Sequence, residues 1–162
     1  MTAAWGRGLA TITDDDAAPS IVTVDDPADA GINRVTVSEG DAATFTVSLS
    51  NASSSATVYA LSLADGSATL TNDYTNALSF NAGVTINAGN ITVPAGVTSF
   101  TVTVPTVEDT TNEASPETFT LTIAGVTGTG YIIDDDGAPT LSVNDITVGE
   151  ASGNATFTVS LS

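Results

Sequence analysis

The chain has 162 residues, a formal net charge of −17 and a hydrophobic content of 41%. Nineteen carboxylates face only two cations, Arg7 and Arg34, so nucleic acid and anionic membrane are repelled and metal cations are the natural partners. The absence of cysteine and histidine excludes disulfides and the usual zinc and haem ligation. With lysine also absent, no base stands ready to activate a serine, so the sequence predicts a non-enzyme.

Chain order exposes a repeat. The opening "MTAAWGRGLATITDDD" lacks the charged and apolar regions of a signal peptide, and the sequence reads as one cut from something longer. Its "GLATITDDDAAPSIVTV" returns as "GTGYIIDDDGAPTLSV", with Asp14 matching Asp134 at an offset of 120. The block "ATFTVSLS" occurs verbatim at 43–50 and 155–162, an offset of 112. The eight-residue difference falls in extra chain around "DPADAGINR". This predicts residues 1–18 as the tail of a preceding repeat, 19–138 as one complete module, and 139–162 as the first strands of a following repeat. The orphaned ends are expected to fray or to dock on an edge of the complete module.

Within the module the period is two. "TFTVSLS" puts Phe45, Val47 and Leu49 on one face, and "VYALSL" does the same for Tyr59, Leu61 and Leu63. "SFTVTV" aligns Phe100, Val102 and Val104, and "TFTLTI" aligns Phe119, Leu121 and Ile123. Such alternation, rich in threonine and valine, predicts half-buried strands. They fall near 20–24, 33–38, 43–50, 56–63, 83–87, 90–93, 98–107, 117–123 and 129–133, two of them short or fused. Turn signals "ADGS", "TNDY", "NAGN" and "VPAGVTS" separate them. Tyr59 and Tyr131 are expected in the core, Asp73 as a turn former, and Trp5 in packing. One-sided strands need a second sheet, which predicts an all-β fold: an antiparallel immunoglobulin-like sandwich of seven to eight strands.

The carboxylates gather at predicted strand ends: Glu39, Asp65, Glu108, Asp109, Glu113, Glu117 and the triplet Asp134, Asp135 and Asp136. Two like charges 4 Å apart repel by about 4 kcal/mol at an effective dielectric of 20, so a converging set must protonate, splay or hold cations. An isolated triplet would read as a solvated linker. Its recurrence at the module boundary, with other acids at turns, points to Ca2+, which takes six to eight oxygens in flexible geometry. No EF-hand is present: counting from Asp134, Pro139 stands where glycine is required.

The series "VSEGDAATFTVSLS", "LADGSATLTNDYT", "VPAGVTSFTVTVPTVEDTTNEASPETFTLTI" and "GTGYIIDDD" resembles the Calx-beta domain, most closely the tandem copies in large bacterial cell-surface adhesins of the RTX type. The resemblance covers 19–138 and implies a calcium-binding sandwich with ions at one pole. It implies metal-ligand roles for Glu39, Asp65, Asp109, Glu113, Glu117, Asp134, Asp135 and Asp136. Where the family often reads "DEPDETF", this chain has "NEASPETF"; Asn112 and Pro116 replace acids, which implies fewer ions. Glu150 is the following repeat's counterpart of Glu39. The expected function is that of an extender module in a secreted or cell-surface protein, partnered by calcium and by neighbouring repeats. The alternative is a carbohydrate-binding sandwich, which would need exposed coplanar rings that the alternating pattern does not supply.

Overall fold

A computed structural model of the chain describes residues 9–13, 15–26 and 33–162; Trp5, Arg7 and Asp14 lie outside them. The alternating segments become ten strands in two facing sheets. They are β1 (Ile21–Asp25), β2 (Arg34–Ser38), β3 (Ala42–Leu49), β4 (Thr57–Asp65), β5 (Ser79–Phe80), β6 (Thr85–Asn87), β7 (Asn90–Val93), β8 (Ser99–Pro105), β9 (Glu117–Ile123) and β10 (Val126–Ile133). One sheet has the order β1-β3-β8-β5 and the other β2-β10-β9-β4-β7-β6. The all-β sandwich is as expected, with more strands because β5 has no alternation to announce it.

The predicted inner faces are the core. Phe45, Val47 and Leu49 of β3, Phe100, Val102 and Val104 of β8, and Phe119, Leu121 and Ile123 of β9 are all buried. Leu61 is buried beside them, with Tyr59 and Leu63 packed against the cluster. Phe119 is the centre: Phe45 meets it edge-on with centroids 6.1 Å apart, and Tyr74 stacks on it at 4.6 Å. These offset and T-shaped arrangements suit the charge distribution of the rings. Gly130 of β10 makes room for that ring, because a Cβ there would lie 2.3 Å from it. The "NAGN" turn closes the β6–β7 hairpin through Ala88 and Gly89, both at positive φ, the backbone a two-residue hairpin loop prefers.

Two features depart from the sequence expectation. β2 pairs with β10 in parallel, Arg34 opposite Thr129 through Ser38 opposite Ile133, so the sandwich is not wholly antiparallel. Tyr131 is not core. It lies half-buried on the outer face of β10, where the guanidinium of Arg34 sits 6.0 Å from its ring centroid. Strand alternation puts Ile132 inward and its neighbours outward.

Beyond the sandwich, residues 9–13 form no strand and are exposed. In 139–162, β11 (Leu141–Val143) and β12 (Val159–Leu161) pair with each other as a separate antiparallel ladder, joined by a short 3-10 turn at Glu150–Ser152.

Candidate metal centre

Four connections meet at one end of the sandwich, and backbone and side-chain bonds hold them there. The β2–β3 turn is closed by the Asp41 N–H donating to the Ser38 carbonyl, and Gly40 takes a positive φ that favours glycine. The adjacent Glu39 N–H donates to the Ile133 carbonyl (3.1 Å), which ties this turn to the end of β10. Thr106, buried at the end of β8, donates its hydroxyl to the Asp41 carbonyl and so brings the 107–116 loop beside the same turn. The 69–75 turn is stitched on by Tyr74 bridging Thr106 and by the Val107 N–H donating to the Asp73 carbonyl (2.9 Å).

This convergence produces two carboxylate triads. Glu39, Asp109 and Asp136 bring one oxygen each within 4.8 Å of one another, and so do Asp73, Glu113 and Glu117. Asp134 acts on both. Its Oδ2 accepts from the Glu113 N–H (2.8 Å) and its Oδ1 from the Asp136 N–H (2.9 Å), and its charge bears on Glu39 and Asp136 as well as Glu113 and Glu117.

Electrostatics record the crowding. Burial, and then the charges of Asp109, Asp134, Glu113 and Asp136, push the Glu39 carboxyl up to about 7. Glu113, Glu117 and Asp136 are also raised, by desolvation first and by neighbouring carboxylates second. The only lysine or arginine among the described residues, Arg34, is placed over Tyr131. Glu39 Oε2 and Asp136 Oδ2 are buried with no hydrogen-bond partner. A buried carboxylate oxygen left unpaired is costly, and a divalent cation relieves that cost. The donor set is all oxygen, which fits calcium better than the tighter octahedron of magnesium.

Of the eight ligands expected from the sequence, Glu39, Asp109 and Asp136 come together, and Glu113 with Glu117 form the second group. Asp134 supports both. Asp135 is exposed and belongs to neither triad. Asp65 also stands apart: its Oδ1 accepts from the Tyr74 hydroxyl and the Leu70 N–H (3.0 Å), so it braces the 69–75 turn. Burial and that hydrogen bond raise the Tyr74 phenol. Asp73 makes the turn it was expected to make, its Oδ2 accepting from the Thr69 N–H and hydroxyl, and it also joins a triad. In "TNDYT" a turn role outweighs a ligand role for Asp73; the bridge from Tyr74 to Thr106 is what carries it to Glu113 and Glu117. Asn112, standing where an acid was expected, donates its amide to Asp134 Oδ2 (3.1 Å) and the Asp136 carbonyl (3.0 Å). Glu150 is exposed on the 3-10 turn.

The family model for the Calx-beta domain matches residues 15–130. Among solved structures, CBD12 from CALX1.2 matches with a TM-score of 0.51 at 21% identity, covering 72% of this chain and 50% of that one. The chain thus spans about half the length of that structure, and the likeness is one of fold. Domains 4–9 of the surface layer protein SbsC match at a TM-score of 0.34 and 17% identity, over 90% of this chain and 19% of that one. A search of curated proteins found no match. With the family model covering well over half of its length and a sandwich of the same kind among solved structures, the chain belongs to the Calx-beta domain family.

Proposed function

We propose that the chain is a calcium-binding structural module of a secreted or cell-surface adhesin, in which ions at one pole stiffen a row of repeats. Calx-beta domains bind calcium in homologues, and the family is regulatory or structural rather than catalytic. No helix among the described residues is long and apolar enough to cross a membrane. The observation that carries the reading is the pair of buried, partnerless oxygens, Glu39 Oε2 and Asp136 Oδ2, inside an all-carboxylate cluster.

The division of labour follows from the geometry. Glu39, Asp109 and Asp136 would hold one ion and Asp73, Glu113 and Glu117 a second, while Asp134 ties the two sets together through the Glu113 and Asp136 N–H groups. Asp65 braces the turn that carries Asp73, and Asp135 faces solvent beside the junction. A bound divalent ion supplies positive charge that offsets the mutual repulsion of these groups. The ligands come from the β2–β3 turn, the 69–75 turn, the 107–116 loop and the tail after β10. Holding them together locks the module's last strand to its own loops, just where residues 139–162 would begin the next repeat.

If free calcium were ten times the dissociation constant, each site would stabilise the fold by about 1.4 kcal/mol. Thermal unfolding in calcium and in EDTA, with titration calorimetry, tests the reading. A raised midpoint with saturable heat is expected. No shift and no heat at millimolar calcium would refute it.

A further inference from the structure

We propose that the Asp136–Gly137 peptide is a site of spontaneous covalent modification, at which Asp136 converts to isoaspartate and the first triad is lost, and that an ion held by Asp136 guards it. The guard rests on the calcium reading above; the modification site does not.

The sequence holds two Asp–Gly pairs, Asp65–Gly66 and Asp136–Gly137. Both meet the first requirement of this chemistry, a glycine nitrogen with no side chain beside it to hinder attack on the preceding carboxyl. At the first pair the Gly66 N–H donates to the Ala68 carbonyl (3.3 Å), and Gly66 is pressed against the carbonyl and hydroxyl of Thr118. The Asp65 carboxylate is engaged by the Tyr74 hydroxyl and the Leu70 N–H (3.0 Å). Nitrogen and carboxyl are both held there.

At the second pair neither is. Gly137 is exposed, its N–H has no hydrogen-bond partner among the described residues, and nothing lies within 4 Å of where its Cβ would be. Asp136 Oδ2 has no partner either. Residues 134–140 form no strand, so no ladder restrains the peptide. Turning it breaks a single bond among the described residues, from the exposed Asn112 amide to the Asp136 carbonyl (3.0 Å).

In the reaction the Gly137 nitrogen bonds to Asp136 Cγ. One carboxyl oxygen departs as water, with the amide hydrogen and one solvent proton, and a cyclic succinimide remains. Water then adds at either ring carbonyl. It restores aspartate or leaves the main chain running through Cγ as isoaspartate. No oxidant or cofactor is needed. Isoaspartate lengthens the backbone by one methylene and shortens the arm bearing the carboxylate. The oxygen that Asp136 brings to Glu39 and Asp109 is thereby displaced, while Asp73, Glu113 and Glu117 keep theirs. A bound ion would hold the Asp136 carboxylate as a ligand, away from the glycine nitrogen.

The full chain is aged in warm neutral buffer with EDTA or with calcium, and isoaspartate is located by methyltransferase labelling and peptide mass spectrometry. In EDTA, isoaspartate and a species lighter by one water are expected at Asp136. Asp65 is expected to stay unmodified while Asp136 half converts. So is Asp16, the matching residue 120 positions earlier, where Ala17 replaces the glycine. Calcium at ten times its dissociation constant leaves about one chain in eleven empty, so the rate is expected to fall about tenfold. Gly137→Ala is tolerated, since Gly137 has open space and no positive φ, and is expected to slow the reaction severalfold. Isoaspartate absent from Asp136 in EDTA, equally fast at Asp65, or undiminished in Gly137→Ala would overturn the site. Saturable calcium heat without any slowing would overturn the guard. No heat and no slowing, with Asp136 converting, would sink the calcium reading together with its guard and uphold the modification site.

Discussion

Glu39 is held in a tight turn with one carboxylate oxygen buried, and its burial and four other acids raise its affinity for a proton. Its folded-state pKa of about 7 lies above the ordinary 4.5, so between those values the folded chain keeps a proton that the unfolded chain releases. Without metal, this group's contribution is therefore full below about pH 4.5 and is lost as pH rises to about 7. Melting in metal-free buffer is expected at a higher temperature at pH 5 than at pH 7.5, and calcium is expected to narrow or reverse the gap. Glu39→Gln should flatten the metal-free dependence, raise the midpoint at pH 7.5 and shrink the calcium response. A second comparison separates the two aspartates of the 65–73 region. Asp73→Asn keeps an oxygen for Thr69 but removes a charge from its triad, and is expected to weaken calcium binding about tenfold. Asp65→Asn is expected to leave calcium binding unchanged and to loosen the turn, seen as a lower metal-free midpoint. Equal calcium affinities for the two variants would argue against the second triad. At this scale the sequence made acids at strand ends visible. It could not rank them, because Asp65 and Asp73 both stand at turn signals, yet the carboxylate of Asp65 is taken up by Tyr74 and Leu70 while that of Asp73 meets Glu113 and Glu117.

Strands β3, β4, β8 and β9 were legible because burial on one face writes itself into alternating residues. Which strand lies beside which is not written locally. The parallel β2–β10 pair joins segments nearly a hundred residues apart, and alternation is the same in parallel and antiparallel edge strands. Likewise β5, two residues long, carries too little pattern to be seen. Gly130 in "GTGYII" leaves room for the ring of Phe119, a partner that alternation along β10 does not announce. Gly130→Ala is expected to destabilise the sandwich by about 1–3 kcal/mol, as overpacked cores do, measured by urea unfolding. Wild-type stability in that variant would mean that Phe119 can retreat.

For the molecule as a whole, the repeat organises what the strands alone do not. The acids of the two triads concentrate at one end, where the tail of β10 meets the β2–β3 turn. Because β2 and β10 run in the same direction, a pull entering through Arg34 and leaving through Asp134 acts along both strands in opposite senses. Their five facing residue pairs are then loaded together in shear, not opened one after another like a zipper. Alternation from the Glu39 N–H, which donates to Ile133, places the Val37 N–H on the β10 side as well. Val37→Pro deletes that donor and is expected to lower the rupture force in single-molecule stretching, with or without calcium; an unchanged force would locate the resistance elsewhere. For a module pulled from its two ends, the direction in which these two strands run would then decide how much load it bears before it gives way.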